Sequence, residues 1–314
     1  MTYFSFGEMH AAVAALRSAG DRATAVGIVE RHLPTFPRHR ALVHLMHAEL
    51  LAEEGRAPEA LATLDEALRT GCRYPSAWLK ENPRLSSLIG LASFADLESR
   101  SQRQWDDATA VAVPRRTLLV PSGGSRHPLL VVLHGNNSDI EETLPFWSSV
   151  VDQGWNAAIL QSGEAGATPG TFTWNDRERT AREIEAHVDG IRHEIDVDRG
   201  IVALAGFSMG ALQAIALTVT GRLRAHGVIS IAAWLPHIRE FAALALAGTA
   251  VWVPSYVVVG TNDPSYDGTK QLVALVTEHG GRAHLDARDG LGHEYPTDME
   301  RTLASGLDFI AAIT

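Results

Sequence analysis

From Thr117 onward, short apolar runs alternate with longer amphipathic ones, and no other feature constrains the fold so tightly. Apolar runs bounded by Gly, Pro or Asn read as strands, whereas the stretches between them carry apolar residues at helical spacing. Alternation of the two is the pattern of a mostly parallel sheet covered by helices, so the expected fold class is α/β. Strands are expected at 117–121, 128–135, 156–163, 201–208, 226–234, 255–263 and 282–290, and helices at 177–195, 209–221, 269–280 and 297–313. Thr297 followed by Glu300 has the form of a capping box for the last helix.

The first hundred residues follow a different rule. Sliding the sequence on itself by 35 positions lays Leu16, Gly20, Ala25, Val29, Glu30 and Leu33 over Leu51, Gly55, Ala60, Leu64, Asp65 and Leu68. That offset is close to the period of about 34 residues of tetratricopeptide repeats, in which stacked helix pairs bury a shared face. The run "LVHLMHAELLAEEGRAPEALATLDEALRTG" (Leu42 to Gly71) resembles one such repeat, and Pro75 to Arg100 would supply a third pair. The chain therefore reads as a small all-α, repeat-like domain over 1–105 and an α/β domain over 106–314. An ordinary helical bundle is the plainer alternative for the first. The helical region is the candidate surface for self-association or a protein partner.

Composition removes several classes of function. With 46% hydrophobic and 20% charged residues the chain has the balance of a globular protein with a sizeable core. A formal charge of −10 argues against nucleic-acid binding, which draws on clustered Lys and Arg. Cys72 is the only cysteine, so an intrachain disulfide, a four-cysteine zinc site and a CxxC redox pair are all impossible. Two uncharged stretches, 201–221 and 241–262, are long enough to span a bilayer but are broken by Gly206, Ser208 and Gly210 and by Gly248, Pro254 and Ser255. They read as strand-to-helix segments of a buried core, with no membrane span. "MTYFSFGEMH" lacks the basic and apolar regions of a signal peptide, and the expected location is cytoplasmic. No GxGxxG, P-loop or HExxH sequence is present, so neither a cofactor nor a metal is expected. His44 and His47 share a helix face and read as repeat packing.

Gly206-Phe207-Ser208-Met209-Gly210 fits G-x-S-x-G and sits between an expected strand and an expected helix, the context that motif requires. The two glycines are needed because a side chain at either would collide with the neighbouring strand or helix. A serine hydroxyl needs a base to take its proton, and the base needs a carboxylate to fix its tautomer. "DGLGHEYP" supplies His293, and "VVVGTNDP" supplies Asp263 at a strand end, with Asp267 close by as a competitor. An oxyanion would be held by the N–H of Met209, at the positive end of its helix, and by a second donor from the loop after the fold's third strand. "VVLHGNNSD" matches that loop: Gly135 turns the backbone so that Asn136 N–H points inward, while the ring of His134 braces it.

"HG" after a strand, "GFSMG", "GTNDP" and "GLGHEYP" together make residues 117 to 314 resemble an α/β-hydrolase of the phospholipase/carboxylesterase or dienelactone-hydrolase-like branch. In that family the acid follows the seventh strand and the histidine the eighth, which implies Asp263 and His293. "HGNN" differs from the HGGG of the hormone-sensitive-lipase-like group. "FTWNDRERTAREI" (Phe172 to Ile184) is similar to the W-x-D segment beside the cleft of such esterases. Trp174 and Trp234 are accordingly expected to line an acyl or alcohol pocket, aromatic packing being the other reading. The resemblance implies a serine hydrolase that cleaves a small-molecule carboxylic ester through an acyl-enzyme, without a cofactor. Thioester hydrolysis, acyl transfer and peptide cleavage use the same machinery. A non-catalytic hydrolase-fold adaptor, working through its helical region, is the alternative from a different class.

Overall fold

Helix α1 (Phe6–Ser18) opens on a capping box in which Ser5 and Glu8 each accept the other's backbone N–H at 3.1 Å. It is followed by α2 (Arg22–His32), α3 (Arg40–Glu53), α4 (Ala57–Arg69), the short α5 (Ser76–Lys80) and the long α6 (Ala92–Val111). In this computed structural model, which describes residues 5–123, 126–235 and 238–312, these helices form the first of two compact units. That unit comprises Met1–Ala112 together with Ala165–Phe172. Helices α1 with α2, α2 with α3 and α3 with α4 pack on one another in succession. The third pair is irregular: α5 has only five residues, and Pro83 starts a 3-10 stretch to Leu88 before α6 begins. The core is built from Met9, Val29, Leu50, Leu64, Tyr74, Leu85 and Leu97, and it includes Ala167 from the distant segment. That segment is tied in by two of its carbonyls and one hydroxyl. Arg73 donates from its N–H to Ala167 O and from Nε to Gly166 O, both at 2.9 Å, and Thr168 Oγ1 accepts Ala41 N–H at the start of α3.

The second unit, Val113–Glu164 and Thr173–Thr314, holds the sheet. Its elements run β1 (Arg115–Leu119), β2 (His127–Leu133), α7 (Ile140–Trp147), β3 (Asn156–Gln161) and, after the two-residue β4 (Glu164–Ala165) and β5 (Phe172–Thr173) that each have one residue in either unit, α8 (Arg177–Glu194). They continue with β6 (Val197–Phe207), α9 (Met209–Val219), β7 (Val228–Ile231), α10 (Arg239–Leu246), β8 (Ser255–Gly260), α11 (Tyr266–Glu278), β9 (Ala283–Arg288) and α12 (Met299–Ala311). Seven strands pair in the order β1-β3-β2-β6-β7-β8-β9, with β1 antiparallel and the rest parallel. Side chains alternate across β2: Leu129, Val131 and Leu133 join a cluster with α8, α9 and α11, while Leu130 and Val132 join one with α7 and α12. Both faces are therefore buried, which explains why the strands read as continuous apolar runs.

All seven expected strands of the sheet are present, and so are the four expected helices, with shifted ends. The "HG" strand is the second in this chain rather than the third. The last helix starts at Met299 with Asp298 as N-cap, so the Thr297–Glu300 capping box does not form. The Asp298 carboxylate is instead taken by Arg288 at 3.0 Å. Residue 313, the expected end of that helix, lies outside the described residues. Among the described residues, no helix is long and apolar enough to cross a membrane.

Candidate active site

Strand β6 ends at Phe207 and α9 begins at Met209, leaving Ser208 alone to make the turn. Its backbone lies at φ 55° and ψ −116°, a conformation that costs a non-glycine residue about 1–3 kcal/mol. Three hydrogen bonds hold it there: Ser208 N–H donates to Ile231 O at 3.0 Å, and Ser208 O accepts the N–H of Leu212 at 3.0 Å and of Trp234 at 3.2 Å. The flanking glycines are explained by contact. A Cβ on Gly206 would stand 2.6 Å from the Gly210 carbonyl carbon, and one on Gly210 would stand 2.4 Å from the carbonyl oxygens of both Leu133 and His134. The elbow is thus pressed against the end of β2, and only hydrogen atoms fit between.

His293 lies in the loop after β9 and Asp263 in the loop after β8. Asp263 Oδ2 accepts from His293 Nδ1 at 2.7 Å, so the proton sits on Nδ1 and leaves Nε2 as an acceptor, 2.8 Å from Ser208 Oγ. The other carboxylate oxygen of Asp263 accepts Ser265 N–H at 2.7 Å, and the side chain is fully buried. Asp267, the competing acid, is 85% exposed and faces Lys270. Parallel strand order accounts for the convergence: β6, β7, β8 and β9 are neighbours, so the loops leaving their C-terminal ends meet at one edge of the sheet.

The loop after β2 runs beside the serine. A Cβ on Gly135 would come within 3.7 Å of Ser208 Cβ and 2.9 Å of Phe207 Cδ1. His134 is completely buried, and burial holds its pKa down to about 4, leaving a neutral ring. Ser162 N–H donates to its Nε2 at 3.3 Å, so Nδ1 carries the proton and donates to Gly135 O at 2.6 Å. The N–H groups of Asn136 and Met209 are engaged in no hydrogen bond among the described residues. The Asn136 side chain accepts from the Thr173 hydroxyl.

The two tryptophans differ. Trp234 is 41% exposed and meets the His293 ring edge-on at 6.2 Å, where it can border a substrate. Trp174, expected as a pocket wall, has no exposed surface: its ring lies on that of His134 at 4.9 Å, and its Nε1–H donates to His134 O at 3.1 Å. Its own carbonyl accepts from Gln213 on α9 at 2.6 Å. It braces the loop instead. The aromatic stack beneath His293 was missing from the sequence reading: Phe207 lies 5.3 Å from His293 and 4.2 Å from Tyr295, which in turn stacks on Phe146 at 3.9 Å. The variable position of G-x-S-x-G and the residue two after His293 are both aromatic, and that was the signal available. His44 and His47 are buried in the first unit, and among the described residues no His, Cys, Asp or Glu cluster has the form of a metal site.

Residues 173–311 match the phospholipase/carboxylesterase family. The second unit carries a domain of that family. The matched stretch of this phospholipase/carboxylesterase domain contains Ser208, Asp263 and His293, whereas the loop of His134 to Asn136 precedes it. Among solved structures, an uncharacterized protein from Bacillus cereus ATCC 10987 is similar at 22% identity and a TM-score of 0.54, with all of both chains covered. Esterase PE8 is similar at 18% identity and a TM-score of 0.53, covering 64% of this chain and 99% of its own. At such identities the likeness is one of fold. The sequence matches none of the curated proteins.

Proposed function

We propose that this phospholipase/carboxylesterase domain is a serine hydrolase of carboxylic esters. The observation that carries the reading is the continuous hydrogen-bonded chain from Ser208 Oγ through His293 to Asp263, at 2.8 and 2.7 Å. Ser208 Oγ attacks the ester carbonyl carbon while its proton passes to His293 Nε2. Asp263 keeps the imidazole in the required tautomer and stabilises the imidazolium. The carbonyl oxygen, now an anion, is received by the N–H groups of Met209 and Asn136. Collapse expels the alcohol, which takes the proton from Nε2, and a water molecule repeats the sequence to release the acid. Every step uses side chains and amides of this chain, and no cofactor takes part.

The test is turnover of p-nitrophenyl esters from acetate to decanoate by the wild type and by Ser208→Ala. Turnover by the wild type that falls to background in Ser208→Ala supports the reading, and equal turnover by both overturns it. An ester-inert wild type that a fluorophosphonate labels at Ser208 moves the reading to a thioester or amide substrate. No labelling favours the adaptor.

A further inference from the structure

We propose that His134 is a positioning residue: its fixed tautomer turns the Gly135–Asn136 peptide so that Asn136 N–H faces the oxyanion. This rests on the ester-hydrolase reading of Ser208 and names a residue that reading does not use.

The argument starts from the two ring nitrogens. Ser162 N–H reaches Nε2, which must then accept, and a neutral imidazole has its one proton on the other nitrogen. Nδ1–H consequently donates to Gly135 O, at 2.6 Å. The described residues include no cis peptide bond, so the Gly135 carbonyl and the Asn136 N–H point in opposite directions. Holding the carbonyl against the ring therefore aims the N–H away from it. That N–H has no partner among the described residues, and the peptide lies beside Ser208. Asn137 follows at φ 54°, which turns the chain immediately after the donor.

The ring itself is completely buried. Trp174 covers it, donates to His134 O and is tied through its own carbonyl to Gln213 on the helix that begins at Met209. The two proposed oxyanion donors are thus connected through Trp174 by a short route of hydrogen bonds. A protonated ring would place a second proton on Nε2, facing Ser162 N–H, and the buried site disfavours that state.

The experiment measures kcat and KM for one p-nitrophenyl ester, together with the Ki of a boronic acid, in the wild type, His134→Ala, His134→Asn and His134→Gln. The Asn amide can take the place of Nδ1, whereas the Gln amide reaches only toward Nε2. Loss of a whole oxyanion donor lowers kcat about 100- to 1,000-fold, so a misaimed one is expected to lower it about 10- to 100-fold. We expect that loss in His134→Ala and His134→Gln with KM unchanged, a parallel weakening of the boronic acid, and recovery to within about threefold in His134→Asn. Unchanged kcat in His134→Ala, or equal kcat in the Asn and Gln variants, overturns the proposal. If His134→Ala fails to fold, the Asn and Gln pair decides alone. Ser208→Ala separates the two readings. A serine-dependent esterase indifferent to His134 defeats only this inference, whereas an esterase indifferent to Ser208 defeats the reading beneath it.

Discussion

Asp263 divides its carboxylate between two donors, His293 Nδ1 on Oδ2 and Ser265 N–H on Oδ1, each at 2.7 Å. Neither oxygen can be replaced by an amide nitrogen without setting two donors against each other or turning the imidazole over. Asp263→Asn is therefore expected to lower kcat about 10,000-fold with little change in KM. Asp267→Asn, at an exposed position, should stay within about twofold of wild type. Steady-state kinetics on a single ester checks both.

Gly210→Ala should damage the fold as well as the site. Its methyl would lie 2.4 Å from two carbonyl oxygens of β2 and the following loop, and those atoms belong to the middle of the sheet. Overpacking of this kind costs about 1–3 kcal/mol where side chains can yield, and more where only backbone is available. The expected result in a urea melt is a midpoint well below wild type, with esterase activity lost. A wild-type midpoint with full activity would contradict the close approach.

Acid should weaken the protein in a defined window. His134, with its pKa held near 4, and His44 and His47, both lowered mainly by burial, stay neutral in the fold at pH values where the unfolded chain takes up protons. Unfolded imidazoles titrate near about 6.5, so stability is expected to fall as pH drops below that value. For His134 the loss continues to about pH 4 and amounts to about 3 kcal/mol, with nearby Asp139 opposing burial. Glu164 acts in the other direction, since burial raises its pKa and its contribution fades as pH rises. Urea melts at pH 7 and pH 5 should show a lower midpoint at pH 5, and His134→Asn should shrink the difference. Equal midpoints in wild type would refute the assignment.

Trp234→Ala and Trp174→Phe should separate substrate contact from loop support. Loss of the half-open Trp234 ring beside His293 is expected to change KM about threefold to tenfold across the ester series, with kcat largely kept. Trp174→Phe keeps the packing but deletes the bond to His134 O, and a typical hydrogen bond of this sort contributes about 1 kcal/mol. It should lower thermal stability and kcat while leaving the chain-length profile unchanged.

The site was legible in the sequence wherever its geometry depends on strand order. Each of Ser208, Asp263 and His293 follows a strand of a parallel sheet, and the C-terminal ends of such strands face one way, so motif order carries over to position. The N-cap of the last helix is misplaced by one residue because Thr297 followed by Glu300 has the form of a capping box, and nothing local announces that Arg288, ten residues before Asp298, claims its carboxylate. Trp174 was misplaced for a similar reason. Whether a tryptophan lines a pocket or a loop depends on which surface closes over it, and that surface comes from His134, forty residues earlier. The insertion of 165–172 into the helical unit leaves no periodic trace, because its anchors are two backbone carbonyls, the single hydroxyl of Thr168 and the methyl of Ala167.

Burial of the Ala167 methyl in that core implies that Ala167→Asp should unfold the helical unit, although residue 167 lies between β4 and β5 in the chain. A buried carboxylate without a partner would be set among apolar residues. Loss of much of the helical circular dichroism at lower urea than in wild type is the expected result, and an unchanged melt would place Ala167 outside that core.

The chain enters the helical unit, leaves it, and returns for eight residues before it finishes the sheet. A helical unit added by simple fusion at one terminus would have a single seam in the gene. This one has three, at 112/113, 164/165 and 172/173. Exchange of the helical unit between relatives must therefore carry a loop of the enzyme with it, and the two halves are expected to be inherited, and to diverge, as one piece.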